Sequence, residues 1–366
     1  MMLIIPILAL LCAPALWVVL GRPRFLPEPT KAASPCDISI IIPARNEATN
    51  IKQLLDSIRR QSHQPKETIV VNDGSTDDTA EIARTMGATV INAKPLPDGW
   101  NGKPWACQQG ASAATGSWFL FLDADLDLRD GAVGSLLQLC TQPDKVYSVC
   151  PHHRIKKMYE QLSAFFNVLM LAGSSAFGVN KQASGKTALF GQCLLINSDH
   201  YQQVGGHESV KDKVLENFHL AEILKSLGIK RECFMGRHLI EMRMHPLGLS
   251  ELWASWQKGF SDGAANTAPR VLVYSSIWIS GMILTIVSAI VAWTSYSSSP
   301  FIILTAIAYL SHALFCLWVF RLAGNFSVWN ALLFPLSFTF YQVLFFYSII
   351  NKKRGRTTQW KGRAVN

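Results

Sequence analysis

The chain has 366 residues, of which 49% are hydrophobic and 16% carry a formal charge, and its net charge is +9. This length and apolarity predict one globular domain accompanied by membrane segments. The net charge owes much to the last sixteen residues, which carry six basic residues and no acidic one, and no nucleic-acid-binding module accompanies them. The eight cysteines form no Cys-x-x-Cys pair, so nucleic-acid-binding, zinc-binding and disulfide-stapled classes are all disfavoured.

The N-terminal stretch 2–20 is apolar and uncharged, and Arg22 and Arg24 follow it. Because no basic residue precedes it, it differs from a secretory signal. We predict a membrane anchor over residues 1–21 with its positive flank in the cytoplasm. The following segment, 22–36, is rich in proline and polar residues and is predicted to be a linker.

Two strand-loop-helix units are predicted after the linker. The first has a β-branched strand at 38–42 and a helix capped by Asn46, and the second has a strand at 68–71 and a helix ending at Gly87. A further strand is predicted at 88–91. Such alternation predicts an α/β fold with a mostly parallel, Rossmann-like sheet and right-handed crossovers.

Acidic side chains follow the predicted strands where they end. Asp73 follows the second strand, while Asp123 and Asp125 follow the apolar run 118–122. Because ligand sites in such sheets lie at the carboxyl ends of the strands, the three aspartates are expected at one edge. The last two suit a hard cation, Mg²⁺ or Mn²⁺, that binds a diphosphate. A single Asp-x-Asp is also compatible with a solvated turn, and it is the agreement of several loops that favours a site.

These residues resemble the inverting family 2 glycosyltransferases with a GT-A fold. The matching segments are residues 41–47, 71–77 and 123–125. The resemblance implies that the first two loops hold the nucleoside and that the Asp-x-Asp holds the sugar diphosphate and the metal. The residues implied are, for the nucleoside, Pro43, Arg45, Glu47 and Asp73, and, for the diphosphate and metal, Asp123 and Asp125.

Later stretches, at 99–107, 242–244 and 360–363, look like a membrane-bound subgroup of this family that acts in staphyloxanthin-type carotenoid synthesis and on hopanoids. This likeness implies a UDP-sugar donor, with glucose as the hexose, and a lipid acceptor. Lys103 is expected to add positive charge near the diphosphate, and an exposed loop lysine is the alternative. Lys361 and Arg363 are candidates to close over the same diphosphate. Gln192 matches the acceptor-side loop of the subgroup, and a glutamine in a buried strand is the alternative.

The expected position of the catalytic base is occupied by an unusual residue. Family members with hydroxyl acceptors have a Glu-Asp pair there, whereas this chain has Glu216 and Asn217, and an amide takes no proton. Three interpretations remain: Glu216 is the base, the protein is inactive, or the acceptor needs no base. A carboxylic acid, already ionised at neutral pH, fits the third, as does a lipid phosphate. A purely structural role for Glu216 is the alternative to all three.

The C-terminal part is strongly apolar. Residues 249–270 are predicted to contain an interfacial helix, with a core helix as the alternative, and residues 271–350 to contain membrane segments. The basic tail, 351–366, is expected on the cytoplasmic face. Three full crossings would put it outside, so we expect the stretch 329–350 to enter and leave on one face.

The sequence therefore predicts a GT-A catalytic domain at 37–248 that faces the cytoplasm and is held in the plasma membrane by several helices. The predicted reaction is a metal-dependent, inverting transfer of a hexose from a UDP-sugar to a lipid-soluble acceptor such as a carotenoid carboxylate. The alternatives are a polyprenyl-phosphate or other lipid glycosyltransferase, and a catalytically inactive membrane protein that binds nucleotide sugars.

Overall fold

A computed structural model describes residues 2–29, 36–179, 188–213, 215–295, 298–353, 358–360 and 363–365. The chain forms two compact units, each built from separate stretches. The helical unit comprises 1–23, 155–186 and 245–358, and the sheet unit comprises 24–154, 187–244 and 359–366. The predicted catalytic domain, 37–248, thus needs a correction: its segment 155–186 folds with the C-terminal helices.

Ten of the described strands form a seven-stranded and a three-stranded sheet, and two further short strands pair with each other near the C-terminus. In chain order the strands are β1 (Ile38–Ala44), β2 (Glu67–Asn72), β3 (Thr89–Asn92), β4 (Trp118–Leu122), β5 (Leu126–Leu128), β6 (Lys145–Cys150), β7 (His152–His153), β8 (Cys193–Asn197), β9 (Lys230–Met235), β10 (Ile240–Met242), β11 (Thr358–Trp360) and β12 (Arg363–Val365).

Fourteen α-helices lie in the described part of the chain. They are α1 (Ile4–Cys12), α2 (Trp17–Leu20), α3 (Ala48–Arg59), α4 (Thr79–Thr85), α5 (Gly102–Ala113), α6 (Ala132–Leu139), α7 (Ala164–Gly173), α8 (Ser198–Gln203), α9 (Glu216–Ser226), α10 (Leu249–Asn266), α11 (Pro269–Thr294), α12 (Ser299–Ala323), α13 (Val328–Leu332) and α14 (Phe334–Lys353). Short 3-10 helices span Met158–Ser163 and Gly206–Val210.

The main sheet has seven strands in the order β3-β2-β1-β4-β8-β6-β9. The four strands from β3 to β4 are parallel, as predicted, and so are β6 and β9, whereas β8 runs antiparallel to both of its neighbours. All five residues of β4 are buried, which is typical of a strand covered on both faces. Leu120 and Ile42 lie in the larger core cluster with Leu54 of α3, while Val71 packs with Ala106 of α5 in a second cluster.

The helix after β1 is not capped as predicted. Asn46 adopts a left-handed conformation, with φ of 53°, and its Oδ1 accepts a hydrogen bond from the backbone N of Thr76 at 2.8 Å. The first turn of α3 is instead satisfied from the neighbouring loop, where Asp77 Oδ2 accepts from the backbone N of Ala48 at 3.1 Å. The cap therefore also ties together the two loops that follow β1 and β2.

Part of the predicted linker, 22–36, is paired with the sheet. The backbone N of Leu26 donates to Met235 O at 3.0 Å, and the backbone N of Met235 donates to Arg24 O at 2.7 Å. Arg24 also forms an ion pair with Glu232. Residues 24–26 thus extend the edge beside β9 and are not free linker, while residues 30–35 lie outside the described residues.

The predicted N-terminal anchor is divided into two short helices, α1 and α2. A turn separates them, in which the backbone N of Trp17 donates to Pro14 O at 2.9 Å. Proline lacks the N–H that would continue the α1 hydrogen-bond ladder, so a single helix over 2–20 is not formed. Helix α1 packs on α11 and α12 within the helical unit.

Aromatic side chains fill the core of the helical unit. Phe165 of α7 lies 5.6 Å from Trp278 of α11 between ring centroids, and the neighbouring Phe166 stacks on Trp256 of α10 at 4.8 Å. Trp256 and Leu252 are both buried. This part of α10 contributes to a protein core, which favours the core-helix alternative over a helix lying in the lipid interface.

Among the described residues, two helices, α11 and α12, are long and apolar enough to cross a membrane. The stretch 329–350 forms most of α13 and α14, and α14 continues without interruption from Phe334. Pro335 therefore stands at the start of α14 and not within it. We predicted that residues 329–350 enter and leave the membrane on one face. Helix α14 contains no turn after Phe334 at which the chain could reverse.

Candidate functional site

The ends of four neighbouring strands form one edge of the main sheet. Strands β1 and β2 end together at the pair Ala44 and Asn72, and β4 runs parallel beside β1. Because β8 is antiparallel to β4, its first residue, Cys193, stands opposite Leu122 at the end of β4. The backbone N of Asp123 consequently donates to Gln192 O at 2.9 Å. The sheet order thus brings the loop of Gln192 to the edge that carries the acidic pair.

The loops after β1 and β2 are joined by hydrogen bonds. Arg45 Nη1 donates to Asp73 O at 2.7 Å, and the backbone N of Asp73 donates to Ala44 O at 2.8 Å. The side chain of Asp73 is buried. Of the residues expected at the nucleoside, Pro43 lies at the end of β1, and Arg45, Glu47 and Asp73 lie on the two adjoining loops after β1 and β2.

The side chain of Lys103 lies between Asp123 and Glu216. Its Nζ lies 2.6 Å from Asp123 Oδ1 and 3.6 Å from Glu216 Oε1, and it donates to Gly191 O at 3.3 Å. It is the second residue of α5 and half-buried, so the exposed-loop alternative is wrong. Burial alone lowers the pKa of Lys103, but the two carboxylates outweigh it, raise the pKa above its ordinary value and keep the ammonium charged.

Carboxylates are concentrated beside the end of β4. Asp125 is half-buried, and burial together with the charges of Asp123 and Glu47 raises its pKa to about 7. Like charges held this close disfavour one another, so the arrangement favours a bound cation. A divalent cation bound here would favour the ionised form of Asp125 at neutral pH.

The donor set fits a particular kind of cation. Within the described ranges, no group of three or more His, Cys, Asp or Glu side chains is arranged to hold a metal by itself. Asp123 and Asp125 would supply two carboxylates, and Mg²⁺ and Mn²⁺ accept such a site because water and substrate phosphates complete their coordination. The residues thus fit a cation that is bound together with a diphosphate.

The residues predicted on the acceptor side lie near the start of α9. Glu216 is the first residue of this helix and is buried, and Asn217 Nδ2 donates to Glu216 Oε1 at 2.9 Å. The amide of Asn217 lies against Gly191. Any other residue at position 191 would clash with it, because a Cβ there would lie 1.8 Å from Asn217 Nδ2. The side-chain oxygen of Gln192 is buried and has no hydrogen-bond partner among the described residues.

A narrow cleft joins these groups. Its lining includes residues that were not predicted to belong to the site, among them Cys107, Gly191 and His207. His207 Nδ1 lies 2.8 Å from the hydroxyl of Tyr201, and its backbone N donates to Gln108 Oε1 at 2.9 Å. Two glycines with positive φ precede it, Gly205 and Gly206. The Gly-Gly pair before His207 was the feature of the sequence that could have predicted a tight turn next to this histidine.

The pKa of His207 is lowered to about 3 by burial and by Lys103, from 6.5. Above pH 6.5 the ring is neutral in both the folded and unfolded states; as the pH falls towards 3, only the unfolded state binds the proton. We therefore expect the free energy of unfolding to fall by up to about 1.4 kcal/mol per pH unit in this window. His207→Gln should remove this contribution, measured by tryptophan fluorescence during denaturant unfolding at several pH values. His238→Asn, at an exposed histidine, is the matched control and should keep the wild-type slope.

Two candidates for closing over the diphosphate are not placed at this edge. Lys361 lies outside the described residues. Arg363 belongs to β12, but its side chain is likewise outside the described part of the structure. Their predicted role rests on the sequence.

Comparisons with known proteins agree with this geometry. Residues 39–203 match the model of glycosyl transferase family 2. The chain is 35% identical over 330 residues to the 4,4'-diaponeurosporenoate glycosyltransferases of Staphylococcus aureus strains MRSA252 and Newman, which covers 89% of this chain and 87% of each relative. Among solved structures, the mannosyltransferase PcManGT from Pyrobaculum calidifontis, in complex with GDP-Man and Mn²⁺, superposes with a TM-score of 0.53 over 95% of this chain and 99% of that chain, at 16% identity. At that identity the superposition establishes a shared fold.

Proposed function

The chain belongs to the family 2 glycosyltransferases and has the GT-A fold, and from this we propose that it transfers glucose from a UDP-sugar to the carboxylate of a lipid-soluble acceptor of the carotenoid-acid type. The observation that carries the proposal is the junction at Lys103, whose Nζ contacts Asp123 on one side and Glu216 on the other. A donor held at Asp123 and an acceptor held near Glu216 would meet across this lysine.

The donor side uses the loops that follow β1, β2 and β4. Asp123 and Asp125 would hold a divalent cation, which when bound neutralises the charge that develops on the leaving diphosphate. The loops of Arg45 and Asp73, joined by their hydrogen bond, would hold the nucleoside. The mannosyltransferase neighbour was solved in complex with GDP-Man and Mn²⁺, which supports the choice of metal.

The acceptor side favours an acid. Inverting transfer requires an acceptor oxygen to attack the anomeric carbon from the face opposite the diphosphate. Asn217 cannot remove a proton, and Glu216 Oε1 already accepts a hydrogen bond from it. An ionised carboxylate attacks without losing a proton, so it needs no base. The name of the relatives, which act on 4,4'-diaponeurosporenoate, supports an acceptor of this class.

We also propose that the protein resides in the plasma membrane with its sheet unit in the cytoplasm. Helices α11 and α12 support this because they have the length and composition of membrane spans. The eight cysteines all lie within the described residues and form no disulfide there, which fits a reducing compartment.

The proposal is tested with the full chain, in membranes or detergent, supplied with UDP-glucose, Mn²⁺ and 4,4'-diaponeurosporenoate. We expect equal amounts of UDP and glucosyl ester, identified by mass spectrometry, and loss of both when EDTA removes the metal. An ester with the β configuration would establish inversion, because the sugar of UDP-glucose is α-linked. A chain that yields UDP without the ester, or neither product, contradicts the proposal.

A further inference from the structure

We propose that Lys103 binds the charged end group of the acceptor and thereby selects an acid over an alcohol; this inference rests on the proposed function. The sequence placed Lys103 at the donor diphosphate. Its surroundings in the fold assign it a position between donor and acceptor instead.

The position of Lys103 follows from three elements. It enters the cleft from the first turn of α5, while Asp123 comes from the end of β4 and Glu216 from the start of α9. Its Nζ touches Asp123 on the donor side and faces Glu216 on the acceptor side at 3.6 Å. A group that enters beside Glu216 therefore meets the ammonium.

Lys103 retains the capacity to bind another oxygen. An ammonium has three N–H donors. Two acceptors lie within hydrogen-bond distance in the described part of the chain, Asp123 Oδ1 at 2.6 Å and Gly191 O at 3.3 Å. Glu216 Oε1 lies beyond that distance, and 36% of the lysine side chain remains exposed. One N–H is thus available to a carboxylate that enters the cleft.

The charges in the cleft show why an acidic acceptor needs Lys103. The lining residues include two carboxylates, Asp123 and Glu216, and one cation, Lys103. An ionised acceptor approaching this wall is repelled by both carboxylates, and Lys103 is the lining group that attracts it. An uncharged alcohol is repelled less by the carboxylates and attracted less by the ammonium. The ammonium therefore discriminates between the two acceptors.

The neighbouring Asn217 supports the same ligand class. Its amide supplies N–H donors without adding a negative charge, and it lies against Gly191 only because a glycine has no Cβ there. The acceptor end of the cleft therefore offers an ammonium and an amide, and both groups can donate hydrogen bonds to a carboxylate.

The test compares Lys103→Met with Lys103→Arg in the full chain. The probes are 4,4'-diaponeurosporenoate, the matched alcohol with the same polyene used as a competitor, and UDP-glucose. For Lys103→Met we expect the KM of the acid to rise about 10- to 100-fold, the size expected for a charge-assisted hydrogen bond. The inhibition constant of the alcohol and the dissociation constant of UDP-glucose should change by less than about threefold, which is within the effect of a nearby packing change. Lys103→Arg should restore most of the affinity for the acid.

Lys66→Met is the matched control, because Lys66 pairs with Asp37 at 3.1 Å beside the start of β1, the opposite end from the site. It should leave all three constants unchanged, and melting temperatures report whether each variant is folded. A UDP-glucose dissociation constant that rises as much as the KM of the acid, or an unchanged KM, overturns the inference. A wild-type chain that forms no glucosyl ester overturns the proposed function itself, which is recognised before any variant is compared.

Discussion

Asp125→Asn is expected to reduce glucosyl transfer by about 10²- to 10⁴-fold, because a catalytic cation contributes several kcal/mol to the transition state. Asparagine has the same size but lacks the charge, so it weakens the hold on a divalent cation while conserving the packing around it. Burial, together with the charges of Asp123 and Glu47, raises the pKa of Asp125 to about 7, so the substitution removes a carboxylate whose ionised form is disfavoured in the folded state. The variant should therefore be as stable as the wild type, or more stable, at about pH 8, where the wild-type carboxylate is ionised.

Transfer rates and melting temperatures, measured on the same samples, check this combination of lost activity and conserved stability. The matched control is Asp130→Asn, which neutralises an exposed carboxylate five residues further along the chain. It should retain wild-type transfer. Wild-type turnover in Asp125→Asn, with the same response to EDTA, would show that Asp125 does not hold a metal.

Three neighbouring parallel strands of the central sheet, β2, β1 and β4, were predictable because each contains a continuous apolar run. The runs at 38–42, 68–71 and 118–122 are buried on both sides by helices, so every residue is hydrophobic or small and no other element fits them. The edge position of the aspartates follows from that topology alone. A turn aspartate after each parallel strand must lie at the same edge.

The segment 155–186 could not be assigned from its sequence. Its helix α7 is apolar and ten residues long. The sequence pattern of such a helix is the same whether it packs against a sheet or against other helices. The partners of Phe165 and Phe166 lie on α10, α11, α12 and α14, roughly 90 to 175 residues away, and the local pattern carries no record of them.

The same limit applies to the site. Lys103, in a stretch rich in glycine and tryptophan, has no neighbour in sequence that identifies Asp123 and Glu216 as its partners. The cap of α3 is a similar case, because Asp77 reaches it from the next loop and displaces the local candidate, Asn46. The strand pattern predicted the aspartates at this edge, and the family resemblance implied most of the other site residues. The pairs among them depend on contacts made across the fold.

Glu216→Gln is expected to separate the two classes of acceptor. A hydroxyl must lose its proton, and the loss of a general base costs about 10²- to 10⁴-fold, whereas an ionised carboxylate has no proton to lose. We therefore expect transfer to 4,4'-diaponeurosporenoate to fall by less than about tenfold, and transfer to the matched alcohol to fall by about 10²-fold or more. Initial rates with each acceptor at saturating UDP-glucose measure the difference.

The structure makes glutamine a suitable replacement. Its Oε1 can still accept the hydrogen bond from Asn217 Nδ2, and Lys103 keeps its closer contact with Asp123 at 2.6 Å. Glu208→Gln, at an exposed glutamate in the preceding 3-10 helix, is the matched control and should leave both rates unchanged. Equal losses with both acceptors would mean that Glu216 is also needed for transfer to the acid, because it positions Lys103 or the acceptor. An acceptor that needs no base would then not explain why position 217 is an asparagine in this chain.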